Sequence, residues 1–193
     1  MVRPREFDEV DALSRAMEVF WTKGLVATSL TDLTEAMGLS RSSLYAAFGD
    51  KETLFERALD LYMQDISAER VRILRDAASA EEGIRDYFEH HIRVALDPRT
   101  PPGCLFVNTA MQMDALPERL AEVVQARARI GEAAVRALLE RGQASGEIPA
   151  DKDARALGAL IVALSYGIHV MARMNPDRRK LQAIANTALE ALS

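Results

Sequence analysis

Between Ser29 and Phe48 the chain carries two stretches of helical periodicity separated only by Gly38-Leu39-Ser40. Leu30, Leu33 and Met37 recur at helical spacing in the first, and Leu44 and Phe48 in the second. Thr28-Ser29 offers an N-cap for the first and Gly38 ends it; Ser40 caps the second. Gly49-Asp50 breaks that helix, and Asp50 caps the next one. So short a connection forces the two helices to pack on each other and on a helix before them. That earlier helix is marked by Phe7, Val10, Leu13, Met17, Phe20 and Trp21. It stops at Lys23-Gly24, a cation followed by a residue that tolerates left-handed backbone. Residues 1–50 are therefore expected to form a three-helix head containing a helix-turn-helix.

The remainder, residues 51–193, reads as a second and larger helical unit. Asp50 starts a helix expected to run from Lys51 to about Arg75. Glu81 to Leu96 forms another, with Ile84, Tyr87, Phe88, His91, Ile92 and Ala95 on one face. Asp97-Pro98-Arg99-Thr100-Pro101-Pro102-Gly103 is a break. A short helix follows from Cys104 to about Met113, then a long one from Glu118 to Ala144, stopped by Gly146. An apolar helix spans Asp151 to Arg173, and Asn175-Pro176 starts the last, with Pro at its first position. Ala and Leu are abundant and aromatics make up only 6% of residues, which favours helix over sheet. The expectation is an all-α fold of about nine helices with no strand.

Charge and cysteine content narrow the function. The chain is net −5. Residues 1–60 hold seven Lys/Arg and eleven Asp/Glu, a net of −4, so any contact with nucleic acid must come from locally placed cations. Those are an arm at Arg3 and Arg5, then Arg41 and Lys51. The single cysteine, Cys104, excludes an intramolecular disulfide framework and a Cys-rich zinc site. The N-terminus is charged where a signal peptide needs an apolar core. The uncharged run Ala156–Ala172 is near the lower limit for a membrane span and reads instead as a buried helix. A cytoplasmic protein without membrane, metal or cofactor is expected. No Ser-His-Asp order, phosphate loop or nucleotide-binding glycine pattern suggests an enzyme. The one dense polar cluster, Glu89-His90-His91, reads as a solvated helix face.

On the second short helix the buried positions leave Arg41, Ser42, Ser43 and Tyr45 pointing outward. Small side chains let the first turn approach a major groove, with the positive helix end toward phosphates. Arg41 suits guanine O6/N7 or a phosphate, Ser42 and Ser43 suit base edges or phosphates, and Tyr45 suits a phosphate oxygen. Lys51, beside the free amides of the next helix, suits another phosphate. From Phe20 to Leu61 the chain resembles the TetR-type DNA-binding domain. The resemblance is carried by a first helix ending in Gly, then Thr-Ser, the turn glycine, Ser-Arg-Ser-Ser-Leu-Tyr-Ala-Ala-Phe and Asp-Lys-Glu-Thr-Leu-Phe. It implies that Arg41, Ser42, Ser43 and Tyr45 face DNA and that Ser29 and Lys51 touch phosphates. Thr34 stands where the family often has Ala, and Ser43 where Gly, Pro or Ala is frequent. The resemblance also implies a transcriptional repressor acting on double-stranded DNA with a palindromic operator, with residues 51–193 binding an unknown small-molecule effector and forming a homodimer.

Within that larger unit, apolar walls with a few polar groups outline a pocket. The candidate lining residues are Tyr87, Phe88, His91, Phe106, Met113, Arg127, Tyr166 and His169. Arg127 falls on the inward stripe of the long helix, where it either pairs with a carboxylate or receives an anionic ligand. Cys104, at a helix start after Gly103, is a candidate redox or electrophile sensor. The last two helices are apolar on more than one face, which points to a homodimer through a four-helix interface. A DNA-binding protein without any effector is the alternative.

Overall fold

The computed structural model describes residues 7–64 and 68–193. Among them, ten α-helices follow in order: α1 (Glu9–Ala27), α2 (Leu30–Met37), α3 (Arg41–Phe48), α4 (Lys51–Tyr62), α5 (Ala68–Asp76), α6 (Ala80–Ala95), α7 (Leu105–Ala110), α8 (Glu118–Ser145), α9 (Ala154–Met174) and α10 (Arg178–Glu190). A single turn of 3₁₀ helix, Met113–Ala115, lies between α7 and α8. The described residues contain no strand.

The helix starts follow capping chemistry. Asp8, Ser29, Ser40, Asp50, Ser79, Asp153 and Asp177 each accept backbone N–H groups from the first turn of the helix that follows. This corrects the expected starts of the last two helices. The carboxylate of Asp177, not the ring of Pro176, begins α10, and Asp153 rather than Asp151 begins α9. The start of α6 is held twice: Ser79 accepts from Glu82 N, while Glu147 accepts from Ala80 N at 2.7 Å and Glu81 N at 2.8 Å.

Two apolar cores organise the chain. The first joins α1, α2, α3 and α4 and also takes in α7 and the start of α8, through Cys104–Val107, Leu120 and Val124. Its centre is Phe20 edge-on to Phe55 and Trp21 edge-on to Tyr62, at 5.1 and 4.9 Å between centroids. The second core gathers α5, α6, the C-terminal half of α8, α9 and α10. Within the one helix expected from Lys51 to about Arg75, Lys51–Tyr62 and Ala68–Asp76 are α-helical and Met63 and Gln64 are π-helical. The two α-helices serve different cores: α4 packs on α1, and α5 packs on α6 and α8.

Candidate nucleic-acid interface and ligand cavity

The helix-turn-helix is built from backbone satisfaction. Ser29 and Asp32 form a capping box at α2: Asp32 N donates to the Ser29 hydroxyl at 3.1 Å, and Ser29 N donates to the Asp32 carboxylate at 2.9 Å. Lys23 reaches the same carboxylate at 2.6 Å; this ion pair, then the Ser29 amide, holds Asp32 down at about 2. Gly38 ends α2 in the left-handed region, at φ 66° and ψ 31°, and Leu39 N donates to Thr34 O at 3.0 Å. Only a residue without Cβ adopts that turn without strain. Ser40 then caps α3 by accepting Ser43 N at 3.1 Å.

Leu44 and Phe48 are buried, so α3 presents its opposite face to solvent. Arg41, Ser42 and Tyr45 are exposed there and Ser43 is half-buried. The hydroxyls of Ser42 and Ser43 each lie 2.9 Å from that of Ser40, which ties them to the cap. The Arg41 guanidinium donates to the Thr31 hydroxyl on α2 at 3.3 Å. Ser29 is exposed at the start of α2. Lys51 Nζ donates to the carbonyls of Leu25 and Thr28 at 3.0 and 2.9 Å, tying α4 to the end of α1. The arm at Arg3 and Arg5 lies outside the described residues.

A small cavity of about 60 Å³ opens between α5, α6, α7, α8 and α9. Of the eight candidate lining residues, Tyr87, Phe106, Arg127 and Tyr166 do line it. Phe88 is corrected to core: it is fully buried with Ile84 and Ile92 under α6, one helical step away from the cavity wall. Met113 is corrected to the first core, because the 3₁₀ turn after α7 carries it away from the wall. His91 and His169 are buried and do not line it; the His91 ring lies 4.5 Å from that of Tyr87, and His169 lines a separate pocket with Val107, Asn108 and Gln112. Arg127 pairs with Asp60 of α4 while still lining the cavity.

The match to protein families now decides the identity. Residues 12–58 match the model of bacterial regulatory proteins of the tetR family, and residues 80–188 match the tetracyclin repressor-like C-terminal domain. The chain belongs to the TetR family. It is 34% identical over 188 residues to the HTH-type transcriptional repressor ComR of Escherichia coli (strain K12), covering 97% of this chain and 90% of that one. It is 31% identical over its full length, and that of its relative, to the HTH-type transcriptional regulator YezE of Bacillus subtilis (strain 168). Among solved structures, a cysteine mutant of the TetR family regulator CifR in complex with 26-bp double-strand operator DNA superposes with a TM-score of 0.92. That match is at 35% identity and covers 99% of this chain and 100% of that one.

In this TetR-family chain the three histidines are all buried, so the solvated reading of Glu89-His90-His91 is corrected for His90. His90 Nδ1 accepts from the Arg93 guanidinium at 2.9 Å, with Glu69 3.7 Å away, which is how a histidine is accommodated there. His91 Nδ1 lies 2.9 Å from His169 Nε2. Burial, then the Arg70 charge, pushes His91 well below the ordinary imidazole range and His169 down to about 3, so the pair is neutral. Cys104 is the N-cap residue of α7 and only 1% exposed, with Sγ 3.0 Å from the Tyr62 hydroxyl.

The sequence reading missed several residues that position the head. Arg57 donates to Ala47 O at 3.1 Å and to Glu9 at 2.6 Å and stacks over Phe48 at 4.7 Å, gripping α1 and α3 from α4. Asn108 donates to Trp21 O at 3.2 Å and accepts from Arg173 at 3.2 Å, linking α1 to α9 through α7. Arg119 pairs with Glu56. Arg70 was missed as well: it is only 8% exposed and lines the cavity. Its placement four residues before Leu74 put both on one helix face, and that was the available signal.

Proposed function

We propose that this chain is a transcriptional repressor that binds a palindromic operator as a homodimer and leaves it when a small molecule occupies the cavity. The observation that carries the reading is the doubly capped α3 with Arg41, Ser42 and Tyr45 exposed on one face, in a chain whose relatives are named repressors and whose structural neighbour is held on operator DNA. An N-capped helix with its small residues outward can enter a major groove, and Arg41 can read a guanine edge. Lys51 in this reading keeps one of its three N–H groups for a phosphate while the others hold α1.

Dimerisation is supported by α9. Ala156, Ala159, Leu160, Ala163, Val170 and Met174 are exposed on it at helical spacing, an apolar stripe without a partner in the described residues. The helix is long and apolar enough to cross a membrane, yet its buried face belongs to the second core. Covering the stripe with a second copy suits a cytoplasmic regulator and places two recognition helices on successive major grooves. Release then works as a population shift: DNA favours one spacing of the heads and the ligand another, opposed by about 1–3 kcal/mol. α4 transmits the change, because Arg119 and Arg127 of α8 hold its Glu56 and Asp60.

The test is selection of binding sites from a random duplex library, followed by titration of the selected DNA. Enrichment of an inverted repeat is expected, with Arg41→Ala weakening binding roughly 5- to 150-fold, the range for one lost base-reading pair. Absence of a repeat, or unchanged binding by Arg41→Ala, would refute the interface. A second reading, an oxidant or electrophile signal at Cys104, rests on the Tyr62 hydroxyl contact to its sulfur. It is dismissed if Cys104→Ser still leaves DNA on oxidant treatment.

A further inference from the structure

We infer that the effector is a small organic carboxylate with a flat apolar body, its carboxylate seated on Arg70 and Arg127; this rests on the effector reading above. Arg70 is 8% exposed, and neither its Nε nor its Nη2 has a hydrogen-bond partner. No carboxylate among the described residues pairs with it. Buried polar groups are almost always satisfied, and a buried cation without a counter-charge is costly. Leaving two adjacent guanidinium donors empty at a cavity wall is what a site built for an incoming anion requires.

The geometry names the anion. Nε and Nη2 are the two parallel donors of one guanidinium edge, and that edge matches the two oxygens of a carboxylate. The same chain shows the match twice. Arg75 holds the Asp76 carboxylate from Nε and Nη2 at 2.7 and 3.1 Å, and Arg99 holds Asp97 from the same two atoms at 2.9 and 2.7 Å. Arg70 presents that edge with nothing on it. The rest of the cavity wall explains the body of the ligand. Tyr87, Phe106 and Tyr166 line it, with Phe106 and Tyr166 at 5.8 Å between centroids, and Leu74 and Ala134 close the apolar side. The cavity is small, about 60 Å³, which limits the body to a single ring at most.

Arg127 connects occupancy to the head. It lines the same cavity and pairs with Asp60 of α4, so two guanidinium groups face the cavity and, among the described residues, one carboxylate answers them. An incoming carboxylate competes with Asp60 for Arg127 and loosens the hold of α8 on α4. The head then gains the freedom to leave its DNA-bound spacing.

Benzoate is the probe and benzyl alcohol its neutral counterpart. Each is titrated into the full-length protein at constant ionic strength, by calorimetry and by melting temperature. Benzoate is expected to bind and stabilise, with benzyl alcohol at least roughly tenfold weaker. Arg70→Met should weaken benzoate roughly 10- to 100-fold, and Arg127→Gln should weaken it as well. The melting temperature of ligand-free Arg70→Met should change little, since the substitution gives up one hydrogen bond to Tyr62 and relieves a buried charge; an arginine held by a structural ion pair would lower it strongly. Equal binding of benzyl alcohol, a benzoate response retained by Arg70→Met, or no binding of benzoate would overturn the assignment. A panel of neutral and cationic compounds separates the two levels. Stabilisation by one of these but not by benzoate refutes the carboxylate and keeps an effector. Stabilisation by no compound of any charge refutes both.

Discussion

Replacing Gly24 by alanine tests how the head is joined to the body. Gly24 interrupts α1 at φ 76° and ψ 171°, a backbone region open almost only to glycine. The chain turns there so that the Thr28 hydroxyl donates to Gly24 O at 2.6 Å and Lys51 reaches the Leu25 and Thr28 carbonyls. A Cβ at this position would lie 2.4 Å from Gln112 Oε1 and 2.5 Å from its Nε2. Backbone strain costs about 1–3 kcal/mol. Swinging the flexible Gln112 end aside adds about 0.5–1.5 kcal/mol. Stiffening the unfolded chain returns about 0.4–1 kcal/mol. The net expectation is a loss of about 0.5–4 kcal/mol, dominated by the backbone. Urea denaturation of the parent, Gly24→Ala, Gln112→Ala and the double variant separates the two costs. Gln112→Ala should recover only the smaller part. A Gly24→Ala variant within about 0.5 kcal/mol of the parent, or one fully rescued by Gln112→Ala, would refute the reasoning.

The buried His91–His169 pair makes stability depend on pH. Both imidazoles are depressed in the folded state, His169 to about 3, so the unfolded chain takes up protons first as pH falls below about 6.5. Stability should be complete above that range and fall by about 1.4 kcal/mol per histidine between pH 7.5 and 5.5. Urea midpoints at the two pH values check this, and a His91→Phe/His169→Leu variant should flatten the difference. Ser40→Ala removes the α3 cap and should cost about 1 kcal/mol, read by thermal melting; a larger proportional loss in DNA titration is expected, because α3 carries the exposed Arg41 and Tyr45. Leu160→Glu with Val170→Glu puts two charges on the exposed stripe of α9 and should convert a dimer to a helical monomer in sedimentation; a dimer that persists would contradict the interface.

The head was legible in sequence because its signals are local. Gly38, Ser40 and Asp50 act within a few residues of themselves, through backbone conformation and caps, and the apolar spacing around them marks which helix faces are buried. Where capping chemistry was not followed, at Asp153 and Asp177, the helix starts shifted. The cavity was harder. Tyr87, Phe106, Arg127 and Tyr166 were recoverable from apolar faces, but the same faces also yield core residues such as Phe88. Periodicity cannot tell a wall from a core, because both are removed from bulk water.

By itself, then, the sequence determined an all-helical chain, the helix-turn-helix, and the exposure of Arg41, Ser42 and Tyr45, since each depends on neighbours within a turn or two. Only the tertiary structure decided that α4 and α5 serve different cores, that Arg127 answers Asp60 across 67 positions of the chain, and that Arg70 is left with an empty edge. Those facts depend on which charges meet after distant helices pack. No local pattern records whether a buried guanidinium has found its carboxylate.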